Sequence, residues 1–182
     1  MPEAVEMLRE DHQKVKDLFE EFEKAEEDDE KLRIVRTALN ELKIHATLEE
    51  EIFYPAVREV IDDDDKMDEA LEEHHVAKLI MAELQDMEPG DEHFDAKFKV
   101  LAESVKHHID EEESEILPKA EKMELDQEQL GEEMAERKTE LQAEAGGKRK
   151  GTARNATQGR GQGKSKAEAK KSGSRSKYQK SA

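Results

Sequence analysis

The chain has 182 residues, enough for one domain of ordinary size with a segment left over, and a formal net charge of −18. It contains no cysteine, which excludes disulfides, thiolate metal sites and cysteine nucleophiles and fits a reducing compartment. No stretch approaches the roughly 20 apolar residues of a membrane span, and the opening Met1-Pro2-Glu3-Ala4-Val5-Glu6 is acidic and unlike a signal peptide, so a cytoplasmic protein with no membrane partner is expected.

The apolar residues recur at steps of three and four, the period of helices. The first predicted helix places Val5, Leu8, His12, Val15, Phe19 and Phe22 on one stripe and closes in Glu26-Glu27-Asp28-Asp29. The second carries Leu32, Val35 and Leu39 upstream of Ala38, Leu42, His45, Glu49, Ile52 and Ala56, and fades in Asp62-Asp63-Asp64-Asp65. The third reads Met67, Ala70, His74, Ala77, Met81 and Leu84 and stops before Pro89-Gly90. The fourth, with Asp91 as its expected N-cap, reads Phe94, Phe98, Leu101, Val105, His108, Glu112 and Glu115.

Four such stripes with short polar links imply an all-α protein, an up-down-up-down antiparallel four-helix bundle over residues 1–122. Pro55 and Pro118 fall at matching places, where each is expected to bend or end its helix one to two turns beyond the Glu. Asp126-Gln127-Glu128-Gln129 has the form of a capping box, so residues 123–145 are read as a peripheral fifth helix with Leu130, Met134 and Leu141 as a thin apolar stripe. From Gly146 to Ala182 twelve Lys/Arg stand against the single acid Glu168, a net +11, which leaves −29 on the rest. That segment, 146–182, lacks the apolar content to offset chain entropy and is expected to be a disordered basic tail.

His12, His45, His74 and His108 each occupy a stripe position where their helix otherwise places Leu, Val, Phe or Ala. Glu49 and Glu112 follow His45 and His108 by four residues, on the same helical face. The interval from His12 to His45 is 33 residues and from His74 to His108 is 34, so one His helix followed by one His-x3-Glu helix occurs twice. Two carboxylates buried among imidazoles without a cation would cost several kcal/mol each or would have to protonate. The six are therefore expected to be metal ligands, two imidazoles from each half with both carboxylates bridging. Such ligands suit iron, manganese or zinc, and a bundle core is where dinuclear carboxylate centres are built. Six side chains do not saturate two six-coordinate ions, so positions remain open to O2, NO or peroxide. Ferritin-like centres use Glu-x-x-His, which occurs once among these helices, at Glu72 to His75, without a counterpart in the other half.

Asp11-His12, His45 to Glu49 running on to Pro55, Glu73-His74, and His108 to Glu112 running on to Pro118 resemble the bacterial hemerythrin-like, or HHE cation-binding, domain. The resemblance covers about residues 1–122. It implies a four-helix bundle holding a non-haem, usually di-iron, centre, in a family associated with O2 or NO binding, iron handling, and oxidative or nitrosative stress. Oxygen-carrying hemerythrins place two His four apart on the third helix, whereas Lys78 follows His74 here, and their last carboxylate follows its His by five residues where Glu112 follows His108 by four. The pattern is closer to sensor, iron-handling or redox members.

His75 and His107 adjoin the candidate ligands and, at about 100° per residue, are expected to point away from the stripe; His93 is read as a surface residue. Glu50, Glu51, Glu111 and Glu113 are read as solvated, with an outer role at the site as the alternative for Glu113. Tyr54 is read as a flank residue, with hydrogen-bond donation to the site or electron relay as the alternative. The main expectation is a protein with two non-haem iron ions that binds or senses a small ligand or iron. The alternative is a stress protein associated with nucleic acid or another polyanion through 146–182, its metal serving the fold.

Overall fold

A computed structural model describes residues 3–59, 61, 63–122 and 125–156. Two compact units are distinguished, Met1–Gly147 and Lys148–Ala182. Every regular element among the described residues is helical: α1 (Ala4–Lys24), α2 (Asp28–Leu48), α3 (Tyr54–Arg58), α4 (Asp64–Gln85), α5 (Phe94–Glu111), α6 (Leu117–Lys122) and α7 (Gln127–Ala156). Most of the segment read as a tail, 157–182, lies outside the described residues; α7 itself continues past Ala145 to Ala156.

The four expected stripes are the inner faces of α1, α2, α4 and α5. Neighbours run antiparallel. Lys14 meets Glu41 and Arg33 meets Glu21 between α1 and α2, while Lys97 meets Glu83 and His74 meets His108 between α4 and α5. Phe19 and Phe22 pack on Phe98 to join α1 to α5. Burying each such ring stabilises the bundle by about 1.5–3 kcal/mol.

The core has two apolar parts with a polar layer between them. One contains Leu8, Leu48, Phe53, Val57, Met67 and Leu117; the other contains Val15, Phe19, Leu42, Leu84, Phe98 and Leu101. His12, His45 and His74 sit between these parts, each within four residues of an apolar residue from either side, and His108 lies between Val105 of the second part and Ile116 of the first. Met134 of α7 is fully buried against the first part, with Leu130 and Leu141 partly buried there, so the fifth helix is docked and not merely peripheral.

Of the two outcomes expected at the prolines, termination does not occur. Neither Pro55 nor Pro118 ends its helix. Each is preceded by a single π-helical turn, Glu49–Phe53 and Glu112–Ile116, closed by Tyr54 N–H on the Glu49 carbonyl and by Leu117 N–H on the Glu112 carbonyl. Proline cannot donate to the carbonyl four residues back, and its ring crowds it; the wider turn opens that space and the helix resumes. The wider turn also shifts register. Buried positions after Glu49 are Phe53, Tyr54 and Val57 in place of the expected Ile52 and Ala56, and after Glu112 they are Ile116, Leu117 and Ala120, while Glu115 is exposed.

At the α4–α5 corner, Gly90 and His93 have positive φ, 95° and 72°. The expected N-cap, Asp91, is used differently: its carboxylate accepts the Glu88 N–H at 2.8 Å and so fastens the preceding turn. Asp126 does cap α7, accepting the Gln129 N–H at 3.0 Å.

Candidate metal centre

The polar layer gathers all six residues singled out from the sequence. Two groups of convergent ligand atoms form, His12/His45/Glu49/Glu112 and Glu49/His74/His108. The first pairs both imidazoles of the first repeat and the second both imidazoles of the second. Glu49 alone belongs to both groups; Glu112, expected to bridge as well, belongs to the first. The halves differ at one nearby position: five residues after Glu49 stands Tyr54, and five after Glu112 stands Leu117.

All four Nε2 atoms face inward. His12 Nε2 lies 3.1 Å from Glu112, His45 Nε2 3.1 Å from Glu49, and His74 Nε2 3.2 Å from the other Glu49 oxygen. His74 Nε2 and His108 Nε2 are 3.0 Å apart. With metal–nitrogen bonds of about 2.1 Å, two nitrogens at a right angle on one ion would stand about 3.0 Å apart, and the separations here match that spacing. Glu49 is 0% exposed and Glu112 1%. Both oxygens of each, together with His12 Nε2 and both nitrogens of His45, are buried without a hydrogen-bond partner. Such groups are rare and costly, and all of them but His45 Nδ1, which faces Asp11, turn toward one another, which is what a cation needs. The donor set fits a metal.

Outside this ring stands a second set of carboxylates. Nδ1 of His12 donates to Glu113 at 2.9 Å, that of His74 to Glu50 at 2.9 Å, and that of His108 to Glu73 at 2.8 Å. Asp11 faces His45 Nδ1 at 3.9 Å. A carboxylate on Nδ1 fixes the tautomer that leaves the Nε2 lone pair free to ligate and makes the ring a stronger donor. Glu50 is thus not simply solvated as expected, and Glu113 takes its alternative role. The signal was the repeat itself: the acid before the first His and the acid after the Glu recur in both halves. Lys16 and Lys78, each four residues after the first His of its half, reach Glu113 and Glu50. His75 and His93 are exposed, and His107, 67% exposed, faces Glu111, so none of the three joins the ring. Glu51 and Glu111 pair at the surface with Arg137 and Lys66.

Tyr54 overturns the flank reading. It is 3% exposed, its ring stacks on His74 at 5.5 Å, and its hydroxyl lies 3.5 Å from His108 Nε2. The π-turn swings it inward, which helical periodicity alone could not reveal.

Without a metal the layer is electrostatically divided. Burial opposes charge on His45, but Glu49 and Asp11 beside it push its pKa up to about 10. Burial would raise Glu49 too, yet His45 and His74 hold it well below the usual carboxylate range. Glu112 goes the other way, raised by burial and by the Glu49 charge. Burial and both carboxylates also raise the Tyr54 phenol well above its ordinary value.

A cavity of about 30 Å³ adjoins the ring. The four imidazoles line it, and the rest of its wall is largely apolar, interrupted by Glu73, Lys78 and Ser104. No described helix is long and apolar enough to cross a membrane.

Comparison with known proteins agrees with this geometry. The family model described as Hemerythrin HHE cation binding domain matches residues 3–120. A protein of a Nostoc species named DNA nickase is 28% identical over 109 residues, covering 60% of this chain and 31% of that one. An uncharacterized hemerythrin-like protein of Schizosaccharomyces pombe is 28% identical over 122 residues, 66% of this chain and 60% of that one. The chain therefore spans less than two thirds of either relative. A crystal structure of a Hemerythrin HHE cation binding domain-containing protein from Mycobacterium kansasii superposes with a TM-score of 0.67 at 25% identity, over 80% of this chain and 90% of that one.

Proposed function

This chain belongs to the hemerythrin HHE cation-binding family, and from that premise we propose that its core holds two non-haem iron ions and offers them to a small ligand such as O2, NO or peroxide. One observation carries the reading: six buried ligand atoms from α1, α2 and the two π-turns, none with a hydrogen-bond partner, are gathered in one polar layer. His12, His45, Glu49 and Glu112 would hold one ion and Glu49, His74 and His108 the other, with Glu49 shared. Bound iron would supply open coordination positions and one-electron chemistry.

The chain's own residues define what reaches it. The carboxylates of Glu113, Glu50 and Glu73 keep the imidazoles in register. The cavity has room for about two water-sized bodies by the same measure, the size of a diatomic molecule, and its largely apolar wall favours O2 or NO. The Tyr54 hydroxyl stands at the ring, 3.5 Å from His108 Nε2, and Lys78 and Ser104 bring polar groups to the cavity wall. Lys78 stands where an oxygen carrier has another imidazole, and it is engaged with Glu50, which supports sensing, iron handling or redox turnover in a stress response over reversible oxygen carriage.

Iron analysis of protein expressed with iron, beside a His45→Ala/His108→Ala double variant that removes one imidazole from each group, tests the centre. About two iron per chain falling to near none is expected; equal iron in both sinks the assignment. Optical spectra of the reduced protein before and after O2, NO and peroxide then test the ligand, and no change with any of the three would leave iron handling alone.

A second reading, association with nucleic acid or another polyanion, rests on the net +11 of residues 146–182. The name of the Nostoc relative is compatible with it, over the part of that protein that matches.

A further inference from the structure

Three of the four inward imidazoles are braced from behind by a carboxylate at 2.8–2.9 Å; the fourth, His45, is not. Its partner by the repeat is Asp11, the counterpart of Glu73. Asp11 Oδ2 stops 3.9 Å from His45 Nδ1, while its other oxygen accepts from Lys138 Nζ at 2.5 Å. Lys138 lies on α7, outside the four-helix repeat, 127 residues along the chain from Asp11. Glu73 has no lysine within 4 Å among the described residues, and its contacts are His107 and His108. A lysine on an outer carboxylate is not in itself disruptive, since Lys78 holds Glu50 and Glu50 still holds His74. The difference lies in origin. Lys16 and Lys78 rise from the same helix as the imidazole their carboxylate serves, one turn along, and keep the carboxylate beside the ring, whereas Lys138 reaches in from another helix.

We propose that Lys138 draws Asp11 away from His45 and so makes the two metal positions unequal, with α7 acting as a positioning element for the His12/His45 position. The inference rests on the dinuclear reading above. An outer carboxylate on a ligating imidazole is worth about 10–100-fold in metal affinity, so the His12/His45 position is held below the affinity its ligands allow for as long as α7 is docked. Binding and docking are then linked: whatever lifts α7 frees Asp11 to close on His45, and metal entering that position favours release of Lys138.

Zinc alone is the probe, with the full chain. Metal-free protein titrated with Zn2+ against a competing chelator reports stoichiometry and two affinities, and imidazole 1H–15N correlation spectra of the zinc-loaded protein report the Nδ1 protons. In the wild type, two zinc ions and three exchange-protected Nδ1 protons are expected. Lys138→Met should protect the fourth, that of His45, and tighten one zinc phase about tenfold or more while leaving the other unchanged. Lys138→Arg should keep the wild-type pattern, and Asp11→Asn added to Lys138→Met should cancel the gain. Four protected protons in the wild type, or no change in Lys138→Met, would overturn the proposal while leaving the dinuclear reading in place. So would a His45 proton protected in Asp11→Glu but not in Lys138→Met, since side-chain length would then be the cause. One zinc per chain or none would overturn the dinuclear reading and this proposal together.

Discussion

Removing one charge from the metal-free centre should stabilise the bundle, and Glu112 is the residue at which the gain should be larger. Both carboxylates are buried with no hydrogen-bond partner on either oxygen, but their surroundings differ. Glu49 has His45 and His74 beside it and is held well below the usual carboxylate range; Glu112 is pushed up by burial and by Glu49. A buried charge left unpaired costs about 3–5 kcal/mol, and a neutral amide in the same place costs about 1–3 kcal/mol. Glu112→Gln should therefore stabilise metal-free protein by about 2 kcal/mol at neutral pH, and at about 2–4 °C per kcal/mol for a domain of this size its Tm should rise about 4–8 °C. Glu49→Gln should gain less, because it removes the partner of His45. A raised carboxylate contributes stability that is complete below its unfolded pKa, near 4.5, and is lost as pH rises through its folded pKa. The gain from Glu112→Gln should thus shrink as pH falls toward 4.5. With metal present the order reverses, because the variant has lost an anionic ligand and should gain less Tm on loading. Calorimetric melts of wild type and both variants, with and without metal and between pH 5 and 8, measure all of this. A wild type equally stable with and without metal, or a Glu112→Gln variant that melts lower when metal-free, would refute the reasoning.

His45, pushed up to about 10 when metal-free, should hold a proton at pH 7 that metal binding must displace. Calorimetric titrations in buffers of different ionisation enthalpy should report its release, and the protein's metal affinity should rise with pH; in metal-free protein the stability from this group is complete below its ordinary 6.5 and lost as pH rises through about 10. Tyr54, buried and raised well above its ordinary value, should contribute no tyrosinate absorbance until the chain unfolds. Tyr54→Phe should therefore leave the folded-state titration unchanged, retain metal, and alter the spectra of small-ligand complexes; normal titration of Tyr54 in the folded chain would contradict its placement. A chain ending at Gly147 should keep its metal and helical fold but lose any salt-sensitive binding to DNA or RNA seen with the full chain. Gel shifts across a salt series decide this, and binding retained by the shorter chain would dismiss the basic segment as the contact.

Local periodicity was enough to read the helices and the ring. Apolar steps of three and four set the inner faces, and substituting His and Glu at matching stripe positions in two repeats marked six residues that do converge, because helical geometry puts residues four apart on one face whatever the surroundings. The sequence also held the outer carboxylates, written as the acid before His12 and His74 and the acid after Glu49 and Glu112, though only packing shows that three of them, Glu113, Glu50 and Glu73, bond imidazoles on other helices. Packing between helices takes over where local periodicity fails. The π-turns before Pro55 and Pro118 add a residue to the seam, which buries Phe53 and Tyr54 in place of Ile52 and turns Tyr54 onto His74. No periodic reading anticipates this, because the backbone solution depends on how the bundle accommodates a missing N–H. The same holds for Asp11: the repeat makes it the counterpart of Glu73, but whether it closes on His45 turns on Lys138, a residue that only the docking of α7 through Met134 brings within reach.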